Sequence, residues 1–393
     1  MRKSFNPPET SKVLLFAGVL VVATNLRAPF TGLPPVLDLV TRDFHLTTTM
    51  TGLILTLPLL VFALLSPISA WLGKKLGLSR ALFAGVSLVA GGILLRAFDT
   101  PGALFTGTAV IGAGIAIANV LLPSLIKRSF PERIGLITGC YVLSMGIAAT
   151  IASTAIVPLS ASIGWSNALL ALIVLPLLAI ALWIPQLRRS PAAEVVITPR
   201  GSSSVIWHSA LAWQVTLFLG LNSVISYIAI SWLPAILTDA GMTPAKAGTM
   251  HGILQLAIAL PGLIIGPTLR HMKDQRIAAV ISAGSMALGF LGLMVFPCQA
   301  AIWSVLLGLG SGASFILGLT FIGLRTEHAG QAAVLSGMAQ CIGYLLAAAG
   351  PVVIGKLHEI FHNWYMPLIL CVTLALFDAV FGLLAGRQRI ISR

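Results

Sequence analysis

Leu33-Pro34-Pro35-Val36-Leu37, followed by Thr49-Met50-Thr51-Gly52, returns later as Leu233-Pro234-Ala235-Ile236-Leu237, followed by Thr249-Met250-His251-Gly252. The offset is 200 residues (233 − 33), and Pro67 finds Pro267 at the same distance. Further on the match continues at an offset of 198, with Gly112 and Gly114 answering to Gly310 and Gly312, and Thr138-Gly139 to Ser336-Gly337. A period of about half the chain signifies two similar domains rather than a solenoid. In the first register Arg27 stands opposite Tyr227. The halves share a pattern but not their polar chemistry, and this difference singles out Arg27.

Composition says where such a chain resides. With 57% hydrophobic and 9% charged residues over 393 positions, and a mean hydropathy of +0.99, there are too few polar groups to cover a water-soluble globule. The chain belongs in a lipid bilayer. Windows of about 20 apolar residues predict spans near Val13–Leu37, Thr49–Leu72, Arg80–Phe98, Ala103–Ile126, Gly135–Leu159 and Trp165–Pro185. A second set falls near Trp213–Leu237, Ala247–Leu269, Ile277–Pro297, Ala301–Leu324, Ala333–Leu357 and Trp364–Ala385. Continuously apolar runs of this length are helices rather than barrel strands. The expected fold is an all-α membrane protein of twelve transmembrane helices, six per half.

The net charge of +13 raises the question of a nucleic-acid partner, and the placement of the charges answers it. Loops on one side carry 19 basic and 5 acidic residues, a net of +14, whereas the opposite loops, to which Arg96 is assigned, carry 4 basic and 5 acidic. This positive-inside pattern predicts that both termini are cytoplasmic. It accounts for the basic excess without nucleic acid. The basic residues ahead of Val13 imitate a signal peptide, but the apolar run continues through Arg27 to Leu37 without a small-residue cleavage site, so it is read as the first helix. Cys140, Cys298, Cys341 and Cys371 lie in separate spans and show no disulfide or metal spacing.

Between the halves, residues 186–211 contain Arg188-Arg189, Pro191, Pro199 and Gly201-Ser202-Ser203-Ser204, the composition of a linker. This predicts an N-terminal bundle over 1–185 and a C-terminal bundle over 212–393. No other loop is long enough for an ATPase module or a soluble receptor domain. Any work must be done within the helices.

Two six-helix halves in parallel repeat, with cytoplasmic termini and a midchain linker, resemble the major facilitator superfamily. Four segments narrow the resemblance: Asn25-Leu26-Arg27 with Pro34, Leu122-Pro123-Ser124-Leu125-Ile126-Lys127-Arg128, Ser231-Trp232-Leu233-Pro234-Ala235, and Ser336-Gly337-Met338-Ala339-Gln340 with Gly343-Tyr344. Together they are similar to the cyanate and 2-nitroimidazole transporter family over nearly the whole length. The resemblance implies a carrier in the bacterial inner membrane, with a central cavity lined by spans one, four, five, seven, eight and eleven. There are departures. Lys74 stands where the superfamily's loop after the second helix usually has an acid, and the fifth span lacks the Gly-Pro pair of antiporter signatures.

Arg27 lies near the middle of its span, where a charged side chain costs about 2.5–3.5 kcal/mol on insertion scales. Arginine cannot shed its proton, and its planar fork suits two-oxygen or other small delocalised acceptors. Pro29 and Pro34 remove the amides that would bond the Asn25 and Phe30 carbonyls, so the first helix is expected to bend with acceptors exposed near the arginine. Substrate contact is one reading of Arg27; a purely structural tie between the halves is the other. The remaining candidates are uncharged: Asn119, Tyr141, Asn222, Tyr227, His251, Gln255, Gln340 and Tyr344. In lipid such groups also serve as helix-to-helix glue. His251 with Gln255, and Gln340 with Tyr344, lie four apart and share a helical face.

Among eleven acids only Asp378 sits well inside a span, so an aspartate-based proton relay has no evident carrier. Asp378 is expected to pair with a neighbouring helix or to approach the cytoplasmic surface. His358-Glu359-Ile360-Phe361-His362 fits the H-E-x-x-H zinc pattern, but it is read as lying in a short outer loop. Its only downstream acid, Asp378, is 16 residues further on, about 24 Å along a helix. Gly350 to Lys356 has Walker-A spacing but is followed by Leu357. No metal and no cofactor are expected, and the chain is read as a non-enzymatic, monomeric carrier of a small polar or anionic solute. The alternative is a broad-range drug or metabolite exporter with an aromatic and aliphatic pocket.

Overall fold

The computed structural model describes residues 9–98, 100–130, 134–187, 203–263, 274–327 and 329–391, and among them there are helices and no strands. The first span is not one helix but four pieces: α1 (Glu9–Thr24), α2 (Ala28–Thr31), a 3₁₀ turn (Pro34–Val36) and α3 (Leu37–Asp43). There follow α4 (Thr48–Leu76), α5 (Leu78–Arg96), α6 (Pro101–Ser129) and α7 (Ile134–Ile163). The sixth span is divided into α8 (Trp165–Ala171) and α9 (Val174–Leu187). There Leu172 and Ile173 donate three residues back, to Leu169 and Leu170, and tighten the turn.

The second half begins with a short α10 (Ser203–His208), then α11 (Ala210–Asp239) and α12 (Pro244–Ala259). It continues through α13 (Arg276–Val295), α14 (Ala300–Leu324), α15 (Ala329–Phe361) and α16 (Tyr365–Ala385). Eleven segments of the described residues are long and apolar enough to cross a membrane. The expected eighth span, Ala247–Leu269, is seen as α12 and helical residues 261–263; the rest of it, like residues 188–202 of the expected linker, lies outside the described residues.

The two halves repeat structural devices as well as words. Trp165, opening α8, donates its indole N–H to Asp43 at the end of α3. Trp364, just before α16, donates to Asp239 at the end of α11, at 2.6 Å. Left-handed residues flank both clasps: His45 (φ 51°) and Gly164 (φ 82°) in the first half, Gly241 (φ 90°) and His362 (φ 53°) in the second. Glycines let helices approach. A Cβ on Gly92 would fall 2.8 Å from the Gly107 carbonyl and one on Gly107 would fall 2.7 Å from the Gly92 carbonyl, so α5 and α6 meet backbone to backbone.

One register changes. Gly112 packs on Pro58 of α4, and Gly312 packs on Ile258 of α12. Both members of this contact are 200 apart (258 − 58 and 312 − 112). In space Gly112 therefore answers to Gly312, while Gly114, packed on Gly85 and Val89 of α5, answers to Gly310, packed on Ser282 and Met286 of α13.

The halves touch along α4 with α15, along α7 with α12, and where the 3₁₀ turn meets α11 and α12. At the end holding the two tryptophan clasps, here the far end, Thr49 donates to Glu359 at 2.5 Å and Gly52 sits against Pro351 and Val352. Thr150 of α7 donates to the Gly252 carbonyl of α12 at 3.0 Å. Towards the opposite, linker end, Gln340 and Cys341 of α15 are exposed and Gly337 faces open space.

Three sequence expectations are corrected. Arg96 and Arg325, counted among the loops, are only 2% and 4% exposed. Arg96 donates to the Pro29 carbonyl at 3.0 Å, and Arg325 to the Ala385 carbonyl at 2.9 Å and to Gln275 at 2.8 Å. The third concerns His358 and Glu359, which lie in the last helical turns of α15 rather than in a loop.

Candidate functional site

The break in the first helix arises from a slip in hydrogen-bond register. Asn25 and Leu26 donate three residues back, to Val22 and Ala23, instead of four. The Val21 carbonyl, left without its helical partner, takes the side chains of Thr24 at 2.7 Å and Asn25 at 2.9 Å. Arg27 follows with φ −127° and ψ −48°, outside the helical well. Leu33 then bonds Phe30 rather than Pro29, and the freed Pro29 carbonyl is the one Arg96 reaches. The bend expected from Pro29 and Pro34 is thus present, with the principal break two residues ahead of Pro29, but the acceptors differ from those expected: the Phe30 carbonyl accepts from the Leu33 N–H, and it is the Val21 and Pro29 carbonyls that take side-chain donors.

Arg27 is half-buried, whereas Asn25, Leu26, Ala28 and Pro29 around it are buried. Its Nη1 donates to Gln255 Oε1 of α12 at 3.1 Å, a polar bond from the first half to the second. Gln255, 2% exposed, lies with its Nε2 3.1 Å from His251 Nε2, and His251 is fully buried. The His251 Nδ1 faces the Ile230 carbonyl without closing a hydrogen bond of normal geometry. Tyr227, His251 and Tyr344 all lie within electrostatic reach of the Arg27 charge, and Tyr141 within reach of Tyr344.

Aromatic rings form a row beside this cation. Phe30 meets Tyr227 edge-on with centroids 5.9 Å apart, Tyr227 meets Tyr344 at 6.5 Å, and Tyr344 leans on Phe62 at 5.3 Å. The row crosses between the halves twice. It offers quadrupolar faces and edges to a planar guest, beside a fork of donors for its oxygens.

Of the nine expected residues, the structure brings together Arg27, Tyr141, Tyr227, His251, Gln255 and Tyr344. It does not connect the other three to Arg27. Asn222 is buried and bonded within its own turn, its carbonyl accepting from Ser226 at 2.6 Å, while Ser226 in turn bonds Ser311 of α14. Gln340 is exposed and donates to Ser336 at 2.9 Å. Asn119 makes no hydrogen bond among the described residues. Phe30 and Phe62 were missed because a phenylalanine in an apolar span carries no signal; only the position of Phe30 between two prolines marks it.

Asp378 departs from expectation. It is fully buried, and neither carboxyl oxygen has a hydrogen-bond partner among the described residues. The reason is that α16 packs along α13 and α11, burying Cys371, Ala375, Asp378 and Gly382 as one stripe. An apolar groove of about 610 Å³ runs between α1, α7 and the sixth span, lined by Leu20, Ile147, Ile151 and Leu175, and Arg27 is not part of its lining.

Known proteins resemble this chain in sequence and in fold. Residues 15–348 match the Major Facilitator Superfamily. The chain is 51% identical to the 2-nitroimidazole transporter of Escherichia coli (strain K12), over 96% of this chain and 97% of that one. It is 26% identical to the cyanate transport protein CynX of the same strain, over 88% and 91%. The fold is shared with a bacterial homolog to the human lysosomal transporter Spinster, in inward-facing and unoccupied conformation, at a TM-score of 0.77, 15% identity and 98% coverage of both chains. A helical membrane chain with a duplicated pattern, a cation bridging its halves and relatives of this closeness belongs to the major facilitator superfamily, in the group of the 2-nitroimidazole and cyanate transporters.

Proposed function

We propose that residues 1–185 and 212–393 form two six-helix bundles joined by 186–211, and that they carry a small, flat, polar or anionic solute held by Arg27. One observation supports this above the rest. Arg27 is half-buried and commits Nη1 to Gln255, while its Nε and Nη2 have no partner among the described residues. A permanent cation with a free pair of forked donors matches a carboxylate, a nitro group or a linear anion such as cyanate. The names of the relatives point the same way.

Rocking of the bundles exposes the Arg27 region to each side in turn. In the present arrangement the Thr49–Glu359 and Gly52–Pro351 contacts close the far end, while α15 is exposed towards the linker end. The basic loops put the linker end and both termini in the cytoplasm of a bacterial inner membrane, and the carrier works as a monomer.

The test is a thermal-shift screen of the purified protein against cyanate, nitrate, 2-nitroimidazole and small carboxylates. A ligand at 100 times its Kd stabilises by about 2.7 kcal/mol. Arg27→Gln should abolish the shift and the flux while the protein still inserts; an unchanged shift and unchanged transport kinetics would remove Arg27 from the site. A second reading, a broad-range exporter, draws on the row Phe30, Tyr227, Tyr344 and Phe62. Nitrate competition separates the two, because a broad exporter is indifferent to it.

A further inference from the structure

The contacts of Arg27 form a relay with a fixed polarity. A guanidinium has donors and no acceptor, so the Arg27–Gln255 bond requires the Gln255 oxygen to face Arg27. The amide nitrogen is thereby turned to His251 Nε2, 3.1 Å away. An amide NH₂ only donates, so that ring nitrogen is an unprotonated acceptor, and the imidazole is neutral with its proton on Nδ1. We propose that His251 is the proton-binding group of this carrier and that Gln255 transmits its charge state to Arg27. The proposal rests on Arg27 as the solute anchor and adds the ion that accompanies the solute.

Binding a proton turns His251 Nε2 into a donor. Gln255 must then rotate its amide by about 180° to present oxygen to the ring. Its NH₂ now faces the guanidinium, donor against donor, and the bond between Arg27 and the second half is lost. Arg27 is left with its whole fork for an anion. The charge balance closes: the empty relay holds one positive charge, and the loaded one holds two positive charges and one negative, again a net of one. Proton and anion therefore enter together without changing the charge of the buried site, avoiding the cost of an extra uncompensated ion.

The surroundings suit this role. The charged group that reaches His251 is Arg27 of the first span; Tyr227 of α11 and Tyr344 of α15 lie around that same guanidinium, with Tyr141 of α7 beside Tyr344. Neither the 3₁₀ turn nor α14, both packed on α12, carries a titratable side chain. No carboxylate among the described residues faces the ring. Nothing but an incoming anion compensates a proton there.

Two measurements on the full chain in nanodiscs test it. In the first, nitrogen NMR of the ligand-free protein, labelled at its seven histidines, identifies His251 by the signal lost in His251→Gln. A neutral Nδ1–H ring is expected in the wild type, with the preference relaxed in Gln255→Leu; an Nε2–H ring in the wild type overturns the relay. In the second, cyanate affinity is read by thermal shift from about pH 8 to about pH 6, spanning ordinary histidine titration. One proton taken up per anion strengthens wild-type binding by up to about tenfold per pH unit. His251→Gln keeps an acceptor for Gln255 but cannot titrate, so its affinity should be flat at the wild-type alkaline value. Gln255→Leu frees Arg27 and should be flat at the higher value. A wild-type slope retained in His251→Gln overturns the proposal. If cyanate shifts none of the three proteins, the solute reading falls, and the ring proton in the ligand-free protein still decides the relay.

Discussion

Three arginines are drawn into this fold, and each hydrogen-bonds neutral oxygen rather than a carboxylate: Arg27 to Gln255, Arg96 to the Pro29 carbonyl, Arg325 to Gln275 and the Ala385 carbonyl. Their energetic weights differ. Hydrogen bonds to charged groups are worth about 1.5–3 kcal/mol each; among the described residues Arg325 makes two, whereas Arg96 makes one and leaves Nε and Nη2 buried without partners. Arg325→Ala should therefore cost at least twice the stability of Arg96→Ala, measured by thermal denaturation in detergent; equal losses would mean that the bonds are not what Arg325 contributes. Arg27 was readable from sequence because a charge in mid-span has no bland environment. Arg96 and Arg325 were not, because a charge at a span end looks the same in a loop as when folded back onto a free carbonyl. His251 and Gln255 were found from their four-residue spacing. The same rule gave no warning that Gln340 faces outward, since a shared helical face does not say what lies opposite.

Among the elements, lengths followed from apolar windows and most helices fall within a few residues of expectation. The interruptions did not. Two prolines announced a bend in the first span, yet the break begins at Asn25, where i−3 bonding sets in. In the sixth span the division at residues 172 and 173 falls where Pro176 withholds the amide that would bond the Leu172 carbonyl, a signal that an apolar window passes over. Turns give a sharper test. Gly164 and Gly241 hold φ of 82° and 90°, and an added Cβ at either meets nothing within 4 Å. Gly164→Ala should therefore cost about 1–2 kcal/mol through backbone conformation alone, lowering the melting temperature although no atom clashes. An unchanged melting temperature would show that the turn relaxes to negative φ without loss.

For the molecule as a whole, duplication was the most informative property of the sequence, and it returned as paired clasps, paired left-handed turns and the Pro58–Gly112 and Ile258–Gly312 contacts. The contacts between the halves could not be read that way, because a repeat describes what the halves share and not where they meet. If the far end must open during transport, joining Thr49→Cys to Glu359→Cys with a short bismaleimide, in a protein freed of Cys140, Cys298, Cys341 and Cys371, should stop flux in liposomes. Each single cysteine should leave flux intact, and undiminished flux in the linked protein would exclude opening there. Each tryptophan clasp closes inside its own half, joining residues 43 and 165, or 239 and 364. Both partners of the earlier clasp have been synthesised while the ribosome is still decoding the middle of the message, so its closure requires nothing from the trailing portion.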